Sequence, residues 1–535
     1  MFLRFRLLPA ALALAIAAIL SAPVVAHNGP HDGDVPHYQS IEQLGRLSFP
    51  TSTRSTAAQT AFVRGMLLLH VFEYPSARDA FVEAQKLDPN FALAYWGEAM
   101  CATHPVWNQQ DMAAGRAALA KLGATPEARA AKAPTAREKA WLETAEILYG
   151  EGPKRERDAR FADAMGKLAA RFPKDDEAKL FHALGLLGKN QGERDLKDFL
   201  EAARIAQSVY QVNPEHPGAA HYWIHGMDDP SHAQGALEAA RSLSKIAPGA
   251  GHAQHMTAHI FMALGMWDEV VSANENAERV VREGLAAKGQ PGYRCGHYAE
   301  WLEYGYFQQG REQEALKVLA DCESQGPAAV QWFRAHPGQR FGAAPTPEAL
   351  QARIQTSLVL MRGMAVVDSA SYAAQYATHS DDDALLGEDA AWAQFARGLA
   401  QADKGDVAAA QASQAALQQS LASASAPDQS ATTRNYLQVM AGMLEGAIAR
   451  AQGNTDLALS KVVESAKRYD EMAFDFGPPV PFKPPHELAG DILLAAGRPQ
   501  EALKEYDLAL VLAPKRAASL LGRARAHALL VAPIR

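Results

Sequence analysis

The chain has 535 residues, too many for one ordinary hydrophobic core, and therefore calls for several domains or one long repeat array. Its 48% hydrophobic and 21% charged residues exclude a disordered chain, and the formal charge of −8 excludes a basic nucleic-acid binder. No glycine-rich phosphate loop and no Gly-x-Ser-x-Gly elbow is present.

Residues 1–26 read as a secretory signal peptide. Arg4 and Arg6 form a basic start, Leu7 to Leu20 is apolar, and Val24-Val25-Ala26 offers a small-residue cleavage site. The apolar stretch is shorter than the ~20 residues a membrane helix needs, and no later stretch qualifies, so the mature chain is expected to lack a transmembrane segment and to be periplasmic or secreted. Residues 27–56 are His-, Gly- and Pro-rich and read as an extended arm. Cleavage after Ala26 would leave His27 as an N-terminal amine with its own imidazole, an arrangement similar to a copper-binding histidine brace; a plain flexible tail is the competing reading. Three cysteines, Cys101, Cys295 and Cys322, are too few for a disulfide scaffold, and Cys295 with Cys322 can form one bridge in an oxidising compartment.

From residue 57 the chain repeats. Between Ala58 and Phe91, residues Gly65, Ala77, Phe81, Ala84 and Pro89 fall at positions 8, 20, 24, 27 and 32 of a 34-residue helix-turn-helix. Near the C-terminus Gly490, Gly497, Ala502, Tyr506, Ala509 and Pro514 occupy positions 8, 15, 20, 24, 27 and 32. Gly398, Gly405 and Ala410, then Gly446, Gly453 and Ala458, hold positions 8, 15 and 20 of weaker units; Tyr306, Gly310 and Ala315 hold 11, 15 and 20. Small residues let paired helices approach, the aromatic fills the gap to the next unit, and proline stops the second helix. These residues closely resemble the tetratricopeptide repeat family. The resemblance implies an all-α fold of helix-turn-helix repeats stacked as a right-handed superhelical solenoid, whose concave groove commonly holds a partner polypeptide. The expected organisation is a superhelix over 57–325 with a His-rich groove, a degenerate connecting segment over 326–390, and further repeats over 391–535. Within these, Ser420 to Ser430 reads as a loop and Gly477 to Pro485 as a stiff proline-rich entry to the last unit.

Seven of the 18 histidines lie between 216 and 259: His216, His221, His225, His232, His252, His255 and His259. His221 and His225 share one helix face, as do His252, His255 and His259. His221 to His255 and His225 to His259 are both 34 residues, so the pairs occupy equivalent positions, 5 and 9, on neighbouring first helices. Positions 2, 5, 9, 12 and 13 line the groove in the resembled family. With packed helices about 8–10 Å apart, four or five imidazoles are expected to converge. Asp228 and Asp229 at positions 12 and 13, and His297 at position 2 of the following unit, stand as further ligands or as acceptors that orient the rings. Such a set suits a transition metal, copper or zinc first, with iron or nickel open. The absence of His-Glu-x-x-His argues against a zincin protease. His70 and His104 are also 34 apart, at position 13, with Trp96 placed in the same groove, a weaker echo for which helix capping serves equally well.

Two functional readings stand side by side. One is a metalloprotein for storage, delivery or metal-dependent chemistry. The other is a protein-interaction scaffold binding a polypeptide in the groove without metal. No catalytic residue or reaction is indicated.

Overall fold

The computed structural model describes residues 41–190, 194–342, 344–380, 382, 385–423 and 431–531. Among them are twenty-four α-helices and a single two-stranded ribbon, Thr103–His104 with Gln109–Gln110. The helices pair in sequence as antiparallel hairpins that stack into a tetratricopeptide-like right-handed solenoid. The two strongest repeats form as their sequence predicts. Thr56–His70 pairs with Tyr74–Leu87, and Pro485–Ala495 pairs with Pro499–Leu512.

The repeat residues do what their types require. The Phe81 ring lies over Gly65 of its own unit and Gly97 of the next, and a Cβ at either glycine would collide with it. Tyr506 sits the same way over Gly490 and Gly522. The position-15 glycines, Gly310, Gly405, Gly453 and Gly497, all adopt φ between 71° and 78°, the left-handed turn that lets the chain reverse between helices.

Several connections depart from expectation. The arm is docked rather than free from Ile41 onward: the Arg46 amide donates to the Glu215 carbonyl at 2.9 Å, and Phe49 packs edge-on to Trp141. The segment over 326–390 carries the end of the Glu312–Ala335 helix, which runs through Pro327, and then the Pro347–Asp368 and Ala370–Tyr376 helices. The helix of the Gly398 unit's partner continues to Ser423, past the expected start of a loop. Residues 1–26 and His27 lie outside the described residues. No helix among the described residues is long and apolar enough to cross a membrane.

The solenoid closes on itself. Arg516, fully buried in the last repeat, donates to Glu487 (2.8 Å) and reaches back to Asp368 (2.7 Å) and the Tyr304 hydroxyl (3.4 Å). Trp267 donates to the Lys515 carbonyl at 3.1 Å across 248 residues of sequence. Phe474, Phe476 and Pro479, which precede the last repeat, lie with Asp228, His259 and Met262 around one small cavity.

Candidate metal centre

Three helices supply the imidazoles. Pro217–Gly226 carries His221 and His225, Gly251–Ala263 carries His252, His255 and His259, and His297–Gln308 begins with His297. Five of these six are at most 4% exposed. They form two trios, His221/His225/His252 and His255/His259/His297, in each of which one nitrogen per residue lies within 4.8 Å of the others. The trios abut: the His225 and His259 rings are 6.2 Å apart and the His252 and His255 rings 6.3 Å. The 34-residue offset therefore does bring the two pairs side by side. The partition is not the one the spacing alone suggests, because His252 leaves its helix-mates and joins the pair on the neighbouring helix.

His297 reaches the second trio through a local device. The Cys295–Cys322 disulfide ties the loop before it to the Glu312–Ala335 helix. Gly296, at φ 97°, then turns the chain so that the helix starts on His297, with the Gly296 amide donating to Ser357 at 2.7 Å. Cys101 is buried elsewhere and takes no part in the bridge.

The outer nitrogens fix the tautomers. His255 Nδ1 meets Asn274 Oδ1 at 2.7 Å, and Asn274 is oriented by its own Nδ2 donating to the Val270 carbonyl at 2.8 Å. His259 Nδ1 meets the Asp228 carboxylate at 2.6 Å. Both acceptors require a proton on Nδ1, which leaves a lone pair on each Nε2. Those two Nε2 atoms face each other at 3.1 Å. In the other trio His221 Nδ1 donates to the His70 carbonyl at 2.7 Å and its Nε2 lies 3.1 Å from His252 Nε2. Burial lowers the His221 pKa to about 3, so its ring is neutral at physiological pH. Phe72 packs against His221 with centroids 4.4 Å apart, and Trp301 against His259 at 4.4 Å, giving each trio an aromatic wall.

The remaining expected residues are placed differently. Asp228 is an orienting acceptor for His259. Asp229 turns away, accepting from Arg194 at 2.7 Å and pairing with His232 at 2.8 Å. Both aspartates stand in the ten-residue connection after Gly226, much longer than the three-residue turns of the regular units. His70 and His104 do not pair. His104 stacks on Tyr74 at 3.9 Å, and burial lowers its pKa to about 4. Trp96 is enclosed with Trp141 and Phe181 and donates to Thr144 rather than facing a groove.

His70 belongs to a third buried group, with Glu177 and His216, that sequence spacing missed. Its atoms are satisfied by protons. The Ala219 amide donates to His216 Nδ1 (3.3 Å), so His216 Nε2 carries the hydrogen given to Glu177 Oε1 (2.8 Å). His70 Nε2 gives its own to Glu177 Oε2 (2.6 Å), and Tyr222 donates to His70 Nδ1 (2.9 Å). Burial opposes the Glu177 charge, but the two imidazoles outweigh it and hold the carboxyl below its usual range. This group is a brace, and the carbonyl it holds in place is the one that orients His221. The seven-histidine run contained His216, but nothing in the sequence tied Glu177 to it across 39 residues.

The residues just before the proline-rich segment complete the enclosure. Phe476 packs on His259 at 5.2 Å. Beside it Asp475 accepts from the Tyr436 hydroxyl at 3.2 Å; burial, with the charge of Asp228, pushes the Asp475 carboxyl up to about 7.

No family model matches the chain, and no curated protein matches it. Solved structures similar to it include human IFIT1 in a dimer with m7Gppp-AAAA (13% identity, 90% of this chain and 92% of that one, TM-score 0.34). The APC/C hetero-tetramer Cut9–Hcn1 matches at 12% identity, over 89% and 78%, with TM-score 0.34. Yeast Tom70 matches at 9%, over 90% and 96%, with TM-score 0.31. Superpositions this loose carry no functional argument; the description of the fold rests on the hairpins of the chain itself.

Proposed function

We propose that this chain is an exported metalloprotein whose six histidines hold a pair of transition-metal ions, one per trio. The observation that carries the reading is the 3.1 Å contact between His255 Nε2 and His259 Nε2, each with its proton committed to the far side of the ring. Two lone pairs at that distance repel; a bound cation, or an extra buried proton, reconciles them. An extra proton would make an imidazolium paired with the buried Asp228 carboxylate, an ion pair whose two charges both carry a desolvation cost. A metal ion uses all three ring nitrogens of each trio. Six imidazole ligands without an inner carboxylate suit copper best by the ordinary order of divalent affinities, with zinc next. The disulfide beside His297 agrees with an oxidising, extracytoplasmic location.

The test is metal analysis of the full chain purified from the periplasm. About two ions per chain are expected, falling to about one in His225→Ala and in His259→Ala. Substoichiometric metal in the wild type, unchanged by either substitution, defeats the reading.

The scaffold alternative keeps one supporting observation. The last repeat exposes Val511 (60%), Leu521 (53%) and Leu529 (56%), an apolar end surface. A partner polypeptide at that end would leave the histidines untouched, because they are buried inside the closed solenoid. The two readings are therefore separable: substitutions at Val511 and Leu521 affect only partner capture, and substitutions at the histidines affect only metal.

A further inference from the structure

A cavity of about 380 Å³ opens against His225. Its walls come from both ends of the sequence: Phe199 from an early repeat, Thr432, Asn435 and Tyr436 from a late one, and Asp475 with Phe476 from just before the proline-rich segment. His225 belongs to the first trio, and Phe476 lies on His259 of the second. His225 is the one histidine of the six in the cavity wall, and its ring lies 6.2 Å from that of His259.

The lining restricts what fits. Phenylalanine and tyrosine rings offer flat apolar faces that pair with an aromatic ring at 4.5–7 Å between centroids. The volume is at the small end of ligand pockets, enough for a compact ring system and too small for a polymer. The cation in the wall, Arg194, is paired through one nitrogen with Asp229 at 2.7 Å and lies over the Phe199 ring at 4.6 Å, while its buried Nη1 has no hydrogen-bond partner. Asp475 accepts from the Tyr436 hydroxyl and from the Phe476 amide, and a carboxylate has capacity for more. Glu471 adds a second carboxylate at the rim. The site therefore suits a small molecule with one group that can both donate to a carboxylate and accept from the guanidinium, as a hydroxyl can.

Resting on the two-metal reading above, we propose that this cavity is the substrate site of the histidine centre and takes a single-ring aromatic bearing a hydroxyl or amino group, its ring among the phenylalanines and its donor on Asp475. The residues just before the proline-rich stretch supply both the aromatic wall and the polar anchor, so the last repeat, by holding them in place, forms the site as well as capping the solenoid.

The experiment uses full-length protein loaded with copper, with metal content measured in the same samples, and calorimetric titration with phenol and toluene. Phenol is expected to bind at least tenfold more tightly than toluene. Asp475→Asn should bring phenol down toward the toluene level. Thr432→Trp, which fills the cavity from a helix that carries no histidine, should abolish phenol binding with copper content unchanged; Asn435→Trp serves if circular dichroism finds the first variant misfolded. Equal binding of phenol and toluene to the wild type, or phenol binding untouched by both cavity-filling variants, overturns the proposal. Absence of bound copper sinks the two-metal reading instead. Phenol titrated into metal-free protein reports on the cavity independently, so the two failures are distinguishable.

Discussion

At the scale of residues, two neighbouring aspartates separate orienting from structural roles. Asp228 holds the Nδ1 proton of His259 and so aims the Nε2 lone pair inward; Asp229 is occupied by Arg194 and His232. Removing an acceptor behind a metal-bound imidazole commonly costs 10–100-fold in metal affinity. Asp228→Ala should therefore weaken one of the two ions by about that factor in a chelator competition, while Asp229→Ala leaves both affinities unchanged and shows its effect in thermal unfolding. Equal metal affinity in the two variants would contradict the tautomer assignment. A second residue-scale prediction concerns acid. The His104 pKa is lowered to about 4 by burial, below its ordinary value near 6.5, so the unfolded chain binds the proton more readily. Stability from the neutral ring is full above about pH 6.5 and is lost as pH falls toward 4. Allowing for some solvent access, that loss is about 1 kcal/mol at pH 5. His104→Gln should make the melting temperature fall less between pH 7 and pH 5 than in the wild type, measured by calorimetry on metal-free samples of both.

At the scale of elements, the loop before His297 carries two constraints in adjacent residues, the disulfide at Cys295 and the left-handed Gly296. A cross-link closing 27 residues contributes about 3 kcal/mol by restricting the unfolded chain. Here it also anchors the start of the helix that brings His297 to the second trio. Replacing both cysteines by alanine should lower the melting temperature and weaken one ion more than the other, since His221, His225 and His252 stand on helices the bridge does not touch. Uniform weakening of both ions would mean the loop does not position His297. The same elements explain how much was readable beforehand. Hairpin pairing, turn glycines and the convergence of the α-helical histidines follow from a 34-residue period, because equivalent positions on stacked helices must become neighbours. The grouping into trios depends on ring rotation and on Asn274 and the His70 carbonyl, neither of which has a spacing signature. Glu177 has no spacing relation to the histidines, and the ten-residue connection that aims Asp228 at His259 breaks the register from which Asp229 was placed. Asp475 and Phe476 lie in an irregular segment to which periodicity assigns no face.

At the scale of the molecule, a solenoid ordinarily leaves its groove open, and stability spreads through nearest-neighbour contacts. This one gains long-range closure through a buried guanidinium. Arg516 is shared by Glu487 of its own repeat and by Asp368 and Tyr304 of earlier helices. Burial works against the Glu487 charge, yet Arg516 and Lys483 hold its carboxyl down to about 2, so the pair stays ionised. Deleting one member of such a network strands the other charges in a dry site and costs about 3–5 kcal/mol. The loss should be local, because each earlier hairpin keeps its own neighbours. Arg516→Ala is thus expected to release the final repeat and the segment from 471 to 484 while the histidine helices stay folded. Hydrogen exchange should rise over those C-terminal residues alone, and Phe476 should become a proteolytic site. If the two ions remain bound in that variant but phenol binding disappears, closure serves the cavity and not the metals; if the ions leave as well, the covering segment is what keeps the imidazoles dry enough to hold them.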